Sequence, residues 1–276
     1  MSDQWGLVIG SWGDVLCATS HFVDKVGCGG VVHYGRTPVI KDFLAEQPFV
    51  SEARWVRKSE EIDSLGREER VEAIMAAAGV RQQPLSVQFG QGIFRIKDTS
   101  LPPFPSFRLP AICEAWASEF VGHATHDLYL VQPFSFQSQT RAQHWPGWEA
   151  YLDWLVEDSG KQFVLCGMDW DSSRLRMKEN VVDAVDKTPS VMHVFALADR
   201  VKGVITTNNS LAVWCAARGI DAIVPCTALG SQHDYYFAHR IKAPSSLIFS
   251  FDTRISTVTC ATQDRFGIAP VTRRKF

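Results

Sequence analysis

The chain has 276 residues, of which 46% are hydrophobic, so it can bury one large core or the cores of two domains. Its 28 basic and 30 acidic residues give a net charge of -2, which argues against a global electrostatic attraction to DNA or to an anionic membrane surface. The seven cysteines are spread singly without a CxxC pair, as is typical of reduced core thiols rather than of a disulfide framework.

No signal peptide pattern opens the sequence, and no stretch approaches the roughly 18 apolar residues that a membrane-spanning helix needs. The sequence therefore predicts a cytoplasmic protein.

The first part of the chain alternates short apolar runs with amphipathic segments. This βαβ rhythm, with strands about 20 to 25 residues apart and no Asn-Gly hairpin signal, favours a mostly parallel sheet covered by helices. Strands are predicted over residues 7–9, 30–34 and 53–56, and helices from residue 14, through residues 43 and 44, and over residues 60–78.

The loop Gly10-Ser11-Trp12-Gly13-Asp14 joins the first predicted strand to the first helix. Its two glycines allow a sharp bend and the close approach of a ligand, and Asp14 places a carboxylate where a helix begins. The loop is neither GxGxxG nor a P-loop, so it does not indicate a dinucleotide site or phosphoryl transfer. The alternative is that Asp14 only caps its helix.

From residue 82 to residue 110 the pattern gives way to proline-rich, aromatic sequence that excludes a regular helix. The segment suits a surface loop, a linker, a lid or an acceptor-binding loop. We predict the domain boundary shortly after it, which gives domains 1–124 and 125–276.

A second alternating series follows and predicts another doubly wound α/β unit. Two such units in tandem would leave a cleft between the carboxyl ends of their strands. In this part, strands are predicted over residues 128–132, 162–166, 203–206, 222–225, 247–251 and 256–260, and helices over residues 148–156, 191–198 and 210–218.

Three strand ends of this second series carry candidate ligand-binding residues. Ser135 follows the first strand, and Gly167, Met168 and Asp169 follow the second, where a glycine permits close approach and a carboxylate can accept hydrogen bonds from a ribose or a base. The third strand runs into Asn208-Asn209-Ser210 at the start of a helix, whose free N–H groups would suit a diphosphate. The alternative is that this triplet only supplies the N-cap.

At this point the chain resembles the GT-B glycosyltransferases, above all glycosyltransferase family 9 of the heptosyltransferase type. Gly13-Asp14-Val15 resembles the family's N-terminal Gly-Asp-Val turn, and the stretch from Gln132-Pro133 to Trp145-Pro146 is similar to its His-Pro-Gly opening and Lys-x-Trp-Pro segment. Residues 191–225 resemble its late donor-binding region.

The resemblance implies a GT-B-like α/β fold, with two Rossmann-like, doubly wound domains facing across a cleft. The first domain would hold the acceptor and the second the nucleotide sugar. Asp14 would then be the general base, taking a proton from the acceptor hydroxyl as that oxygen attacks and inverts the anomeric carbon.

The sequence departs from the family pattern in two places. The family's Asp-Thr-Gly motif reads Asn208-Asn209-Ser210 here, and the lysine expected before Trp-Pro is Gln143 or His144. The basic group that steadies the leaving diphosphate would therefore come from elsewhere, with Arg141 as the candidate. ADP-heptose does not follow as the donor.

We therefore predict a metal-independent, inverting glycosyltransferase that uses a nucleotide sugar, no further cofactor, and a glycan or other hydroxyl acceptor. Asp14 is its catalytic residue; Gly13, Ser135, Arg141 and the Asn208–Ser210 triplet contact the donor phosphates, and Gly167 to Asp169 contact the nucleotide. A metal at Asp169 and Asp171, or at His123 and His126, is not favoured because neither pair has the expected context or a third ligand.

Two other functions remain open. One is a catalytically degenerate protein that only binds a nucleotide sugar. The other is a glycosyltransferase acting on a modified DNA base, which would need a basic groove. The candidate basic residues are Arg54, Arg57, Lys58, those within residues 174–178, and the tail at 273–275.

Overall fold

The computed structural model describes residues 4–26, 29–89, 92–94, 103–122, 124, 127–134, 144–157, 160–167, 178–227, 241 and 243–269. Backbone contacts divide the chain into two compact units, Met1–Pro110 and Ala111–Phe276. This division falls before the helix Ala111–Gly122, whereas the boundary predicted at residue 124 falls after it.

The first unit is a mixed α/β unit built on a five-stranded sheet in the order β3-β2-β1-β4-β5. The first four strands run parallel, and β5 is antiparallel to β4. Its strands are β1 Trp5–Ile9, β2 Gly29–Gly35, β3 Val50–Arg57, β4 Ser86–Phe89 and β5 Gly92–Phe94, and its helices are α1 Trp12–Val26, α2 Val39–Ala45, α3 Glu60–Asp63 and α4 Arg67–Ala77.

The order of strands reverses between β1 and β4, because the chain adds β2 and β3 on one side of β1 and β4 on the other. Ligands of open α/β sheets bind outside the carboxyl ends of the strands at such a switch point. The loop that contains Asp14 leaves the carboxyl end of β1, so it lies at this edge. Buried apolar residues such as Leu7, Val32 and Ile74 form the core beneath it.

The helix predicted over residues 60–78 is wrong in one respect, because the structure has two helices there. Gly66 adopts an extended conformation, and its backbone N–H donates to the Glu69 carboxylate at 3.2 Å. Glycine adopts the extended conformation of a helix break at little cost in free energy, whereas in a helix interior it loses more backbone entropy than other residues. A new helix, α4, therefore begins after Gly66. Strands β4 and β5 also lie in the segment that the sequence indicated was irregular.

The second unit has a six-stranded, all-parallel sheet in the order β8-β7-β6-β9-β10-β11. This is the doubly wound order of dinucleotide-binding folds, with its switch point between β6 and β9. Its strands are β6 Leu128–Gln132, β7 Gln162–Leu165, β8 Val181–Asp183, β9 Gly203–Thr206, β10 Ala222–Pro225 and β11 Ser246–Phe249, and its helices are α5 Ala111–Gly122, α6 Trp148–Leu155, α7 Val191–Ala198, α8 Ser210–Arg218 and α9 Ile255–Phe266.

The strand predicted over residues 256–260 is wrong, since these residues belong to helix α9. Val258, Thr262 and Phe266 recur every fourth residue and form the buried face of this helix. The Thr262 hydroxyl lies 2.6 Å from the Tyr151 hydroxyl of α6, and the Tyr129 hydroxyl of β6 donates to the Phe266 carbonyl at 3.0 Å. The β-branched residues 255, 257, 258 and 259 explain the wrong prediction.

Helices in both units are short, and α1, with 15 residues, is the longest that the structure describes. Within the described ranges no helix combines the length and apolar character needed to cross a membrane.

Candidate functional site

The loop between β1 and α1 holds Asp14 in the first turn of the helix rather than at its cap. Helix α1 begins at Trp12, and the Val15 N–H donates to the Ser11 carbonyl at 3.1 Å. The Asp14 Oδ2 atom accepts from the Ser11 backbone N–H at 2.8 Å and from the Ser11 hydroxyl at 3.1 Å. This is the reciprocal contact of a capping box, in which the carboxylate reaches back to the N-cap residue. Both bonds end on Oδ2, so Oδ1 takes no part in them.

Gly10 leaves the room that this carboxylate occupies. Its φ is +148°, and a Cβ added to it would lie 2.2 Å from Asp14 Oδ2. Both facts require glycine at this position. Gly13, the other glycine of the loop, is the second residue of α1 and is buried.

The pKa of Asp14 is raised from 3.8 to about 6, chiefly because burial penalises the charged carboxylate. Only 6% of the residue is exposed. The hydrogen bonds from Ser11 act in the opposite direction and hold the pKa down. A carboxyl whose pKa lies close to neutrality is suited to exchange a proton with a substrate.

His33 is part of the same site, and the sequence analysis missed it. The imidazole on β2 is fully buried, and its Nε2 lies 3.1 Å from the Gly10 carbonyl oxygen. Because a carbonyl only accepts, Nε2 carries the proton. Burial lowers the pKa of His33, which favours the neutral ring. The signal in the sequence was a lone polar residue between apolar residues in the middle of a strand.

Because the pKa of Asp14 is raised in the folded state, the free energy of unfolding depends on pH. Between pH 3.8 and about 6 the folded state keeps the Asp14 proton that the unfolded chain has lost, so the free energy of unfolding falls as pH rises. The full effect is about 3 kcal/mol and is complete above the folded-state pKa. Urea unfolding of the native protein and of Asp14→Asn from about pH 4 to about pH 7 measures it. A constant difference between the two proteins would contradict the raised pKa.

In the second unit, polar groups meet at the switch point between β6 and β9. The Thr206 hydroxyl donates to the Gln132 carbonyl at 3.0 Å, and the Asn209 Nδ2 donates to Gln132 Oε1 at 3.3 Å. The carboxyl ends of the two strands are thereby tied together. Gln132 was noted in the sequence only as part of a motif.

Asn209 caps helix α8. Its Oδ1 accepts from the Leu211 N–H at 2.9 Å and the Ala212 N–H at 3.2 Å. These two amides are therefore not free for a diphosphate, contrary to the expectation from the sequence that the first turn presents unpaired N–H groups. Ser210 is the first residue of the helix and is half-buried.

Asn208 has its amide orientation fixed by its neighbours. Its Oδ1 accepts from the Thr227 N–H at 2.8 Å and from the Thr207 hydroxyl at 3.1 Å. Among the residues that the structure describes, none accepts from Nδ2, although only 6% of Asn208 is exposed. The Thr227 hydroxyl is likewise buried without a hydrogen-bond partner in the described part of the chain. The carboxyl edge of β9 and β10 thus carries a fixed amide donor beside a free hydroxyl.

Gly167 follows β7 on the same edge of the second sheet. Its φ is +133°, and its carbonyl accepts from the Asp186 N–H at 3.1 Å. Strand β7, which Gly167 follows, pairs with β6, the strand that ends in Gln132. The remaining predicted contacts lie outside the described residues; they are Ser135, Arg141, Met168 and Asp169.

Within the described ranges, no group of three or more His, Cys, Asp or Glu side chains is placed to hold a metal ion. The four residues weighed as metal ligands, Asp169, Asp171, His123 and His126, are not among those described. Independence of metal stays a prediction.

The basic residues near β3 have partners of their own. Arg54 bonds Glu52 Oε1 at 2.6 Å and the Ala78 carbonyl at 2.7 Å, and Lys58 pairs with Asp63 at 3.1 Å. Arg57 is exposed. The described part of this cluster therefore has two of its three charges already paired within the unit.

No family model and no curated protein matches the sequence. Solved structures do match it. A glycosyltransferase family 9 structure from Veillonella parvula is 12% identical, with a TM-score of 0.66, and the match covers 98% of this chain and 93% of that one. For E. coli ADP-heptose LPS heptosyltransferase II the identity is 13%, the TM-score 0.59 and the coverage 89% and 90%. For E. coli heptosyltransferase WaaC, solved with ADP, the values are 11%, 0.52, 95% and 100%.

These comparisons confirm the resemblance to glycosyltransferase family 9 as a likeness of fold that extends over nearly the whole chain. Function does not follow from a shared fold and has to be argued from the residues of the site.

Proposed function

We propose that this protein is a glycosyltransferase that moves a sugar from a nucleotide-sugar donor to the hydroxyl of an acceptor. The observation that carries the proposal is Asp14, a buried carboxyl with a pKa of about 6 at the switch-point edge of the first sheet. The heptosyltransferase-like fold gives this carboxyl a context in which a general base is needed.

In the proposed arrangement the two units act as the two Rossmann-like, doubly wound domains of a GT-B enzyme. The first domain, with Gly13 and Asp14, receives the acceptor. The second domain receives the nucleotide sugar at the carboxyl edge of its sheet. The strand order of the second unit supports this, because it is the order that binds nucleotides at its switch point.

The proposed reaction is a single displacement without a metal ion. Asp14 takes the proton of the acceptor hydroxyl through Oδ1, which Ser11 does not use. The acceptor oxygen forms a bond to the anomeric carbon as the bond from that carbon to the diphosphate breaks, so the configuration inverts. The nucleoside diphosphate leaves with the electron pair of the broken bond. A positioned general base accelerates such a step by about 10²- to 10⁴-fold.

Asn208 is the described residue best placed to meet the donor phosphates. Its free Nδ2 donor is fixed in direction by two bonds to Oδ1, and a pre-oriented donor stabilises negative charge without reorganising. We assign Ser210 and Gly167 to the same donor site from their places on this edge. The predicted contacts outside the described residues, Ser135, Arg141, Met168 and Asp169, keep their proposed roles at the phosphates or the nucleotide. Asn209 serves instead as the cap of α8, and its side chain is bonded to Gln132 and to the first turn of the helix.

Thermal-shift measurements with ADP, UDP, GDP and their sugars test the proposal. ADP and ADP-heptose come first, because the similar structures include an ADP-heptose heptosyltransferase and a heptosyltransferase solved with ADP. A ligand at 100 times its Kd is expected to stabilise the protein by about 2.7 kcal/mol. Asn208→Ala is the variant that tests this contact, because it removes the Nδ2 donor. It is expected to weaken nucleotide binding at least about 10-fold.

The outcomes separate the functions. Failure of every nucleotide to stabilise the native protein would overturn the proposal. Binding of a nucleotide sugar without transfer to any acceptor would instead support the degenerate binding protein. Transfer to a modified DNA base would support the third function, although the pairing of Arg54 and Lys58 does not favour it.

A further inference from the structure

One peptide group connects His33 to Asp14. The carbonyl of Gly10 accepts the His33 Nε2–H at 3.1 Å, and the N–H of the same peptide, which belongs to Ser11, donates to Asp14 Oδ2 at 2.8 Å. A peptide group is planar, and its C=O and N–H point in opposite directions. Fixing the carbonyl therefore fixes the direction of the N–H that holds the carboxylate.

The packing around His33 holds its imidazole ring against the Gly10 carbonyl. The ring is fully buried, and a Cβ on Gly35 would lie 2.7 Å from Nε2 and 3.1 Å from the Gly10 oxygen. The absence of a side chain at Gly35 thus makes room for the imidazole on one side of the Gly10 carbonyl. The absence of one at Gly10 makes room for the Asp14 carboxylate on the other side.

His33 carries a cost that an apolar residue would avoid. Its Nδ1 is buried and has no hydrogen-bond partner among the residues that the structure describes. In a strand whose seven residues are all buried, an aliphatic side chain would fill the same space without this cost. The bond from Nε2 to the Gly10 carbonyl is what the histidine contributes in exchange.

We propose that His33 is a positioning residue for the candidate general base, holding Asp14 through the Gly10–Ser11 peptide. This inference rests on the proposed function. Hydrogen bonds in a chain polarise one another, so the bond from His33 also strengthens the Ser11 N–H as a donor to Asp14. His33 itself stays neutral and exchanges no proton with substrate.

The groups that influence Asp14 in the described residues are few. Burial is the largest cause of its pKa shift, followed by the two hydrogen bonds from Ser11 and one from the backbone N–H of Asp14 itself, and no charged side chain among the described residues contributes. His33 is the titratable group that faces the loop from β2. A change in the titration of Asp14 after substitution of His33 therefore reports on this chain of bonds.

The test compares His33→Met, which fills the space without a donor, with His33→Gln, whose amide can supply a donor near Nε2. Removing the donor weakens the Ser11 bond to the ionised carboxylate, so the pKa of Asp14 is expected to rise in His33→Met and to stay closer to the native value in His33→Gln. The readout is the ¹³C titration of labelled Asp carboxyls, with Asp14→Asn assigning the resonance.

In sugar transfer, His33→Met is expected to lower kcat at least about 10-fold with an unchanged KM for the donor, and to move the acid limb of kcat/KM to higher pH. An unchanged carboxyl titration and acid limb would overturn the positioning role while leaving the proposed function intact. If Asp14→Asn transfers sugar as well as the native protein, Asp14 is not the general base, although the transferase function stands. If no nucleotide binds the native protein, the proposed function fails instead, and the titration still decides whether His33 positions Asp14.

Should His33→Met fail to fold, Gly35→Ala supplies the second test. Its methyl group would displace the imidazole from the Gly10 carbonyl while His33 remains. The same rise in the pKa of Asp14 is expected, and a native titration in the folded variant would overturn the inference.

Discussion

Asp14→Asn is expected to lower kcat for sugar transfer by about 10²- to 10⁴-fold and to leave the affinity for the nucleotide unchanged. The asparagine keeps an oxygen that can accept from Ser11, so the turn is preserved, but it cannot take a proton from an acceptor hydroxyl. In the native protein, kcat/KM is expected to fall below about pH 6 as Asp14 becomes protonated. Steady-state kinetics across pH, with calorimetric binding of the nucleotide, measures both effects.

Asp42→Asn is the matched control for this variant. Asp42 lies on α2 of the same unit, is exposed, and lies in the first turn of its helix as Asp14 does. Native kinetics are expected for it. Rates within a few-fold of native for Asp14→Asn would show that the carboxylate is only a capping group, the alternative that the sequence left open.

Gly10→Ala is expected to have the second largest effect, about 100-fold on kcat, because the new methyl group would occupy the place of the carboxylate. Its Cβ would lie 2.2 Å from Asp14 Oδ2, and alanine is strained at the φ of +148°. The strain is expected to cost the fold about 1 to 3 kcal/mol. Kinetics together with urea unfolding separates the two consequences.

Gly79→Ala controls for backbone strain at a position away from the Asp14 carboxylate. Gly79 is in the same unit and has a φ of +70°, but a Cβ on it would approach only Arg54, at 3.2 Å. It is expected to lose stability without a loss of kcat. If both glycine variants lose activity in proportion to stability, the specific contact between position 10 and Asp14 is unimportant.

Local signals explain why much of the second unit could be predicted from the sequence. Four elements agree with their predicted bounds, because each is a short apolar run bounded by polar residues, glycine or proline. They are the strands Gly203–Thr206 and Ala222–Pro225 and the helices Val191–Ala198 and Ser210–Arg218. Residues 256–260 failed because their β-branched side chains match a strand by propensity, whereas their burial against α6 and β10 selects a helix.

The part of the site around Asp14 could be predicted, because a residue that can exchange a proton and residues typical of a turn lie close together in the sequence. Gly10, Gly13 and Asp14 stand within five residues of one another, so the turn could be recognised. His33 could not, because its partner Gly10 is 23 residues away and becomes a neighbour only through the pairing of β1 with β2. Asn209 was ambiguous for another reason: an amide that suits a helix cap also suits a ligand, and only the geometry shows the cap.

The hydrogen bond between Tyr129 and the Phe266 carbonyl has a consequence for the order in which the chain folds. The two residues are 137 positions apart, and both belong to the core of the second unit. That core cannot close until residue 266 has been synthesised, whereas every residue of the first unit has been made by residue 110. During synthesis the first sheet therefore has time to form while the second is still awaiting helix α9. During this interval, the apolar residues of the second sheet lack the packing that Phe266 supplies in the finished core.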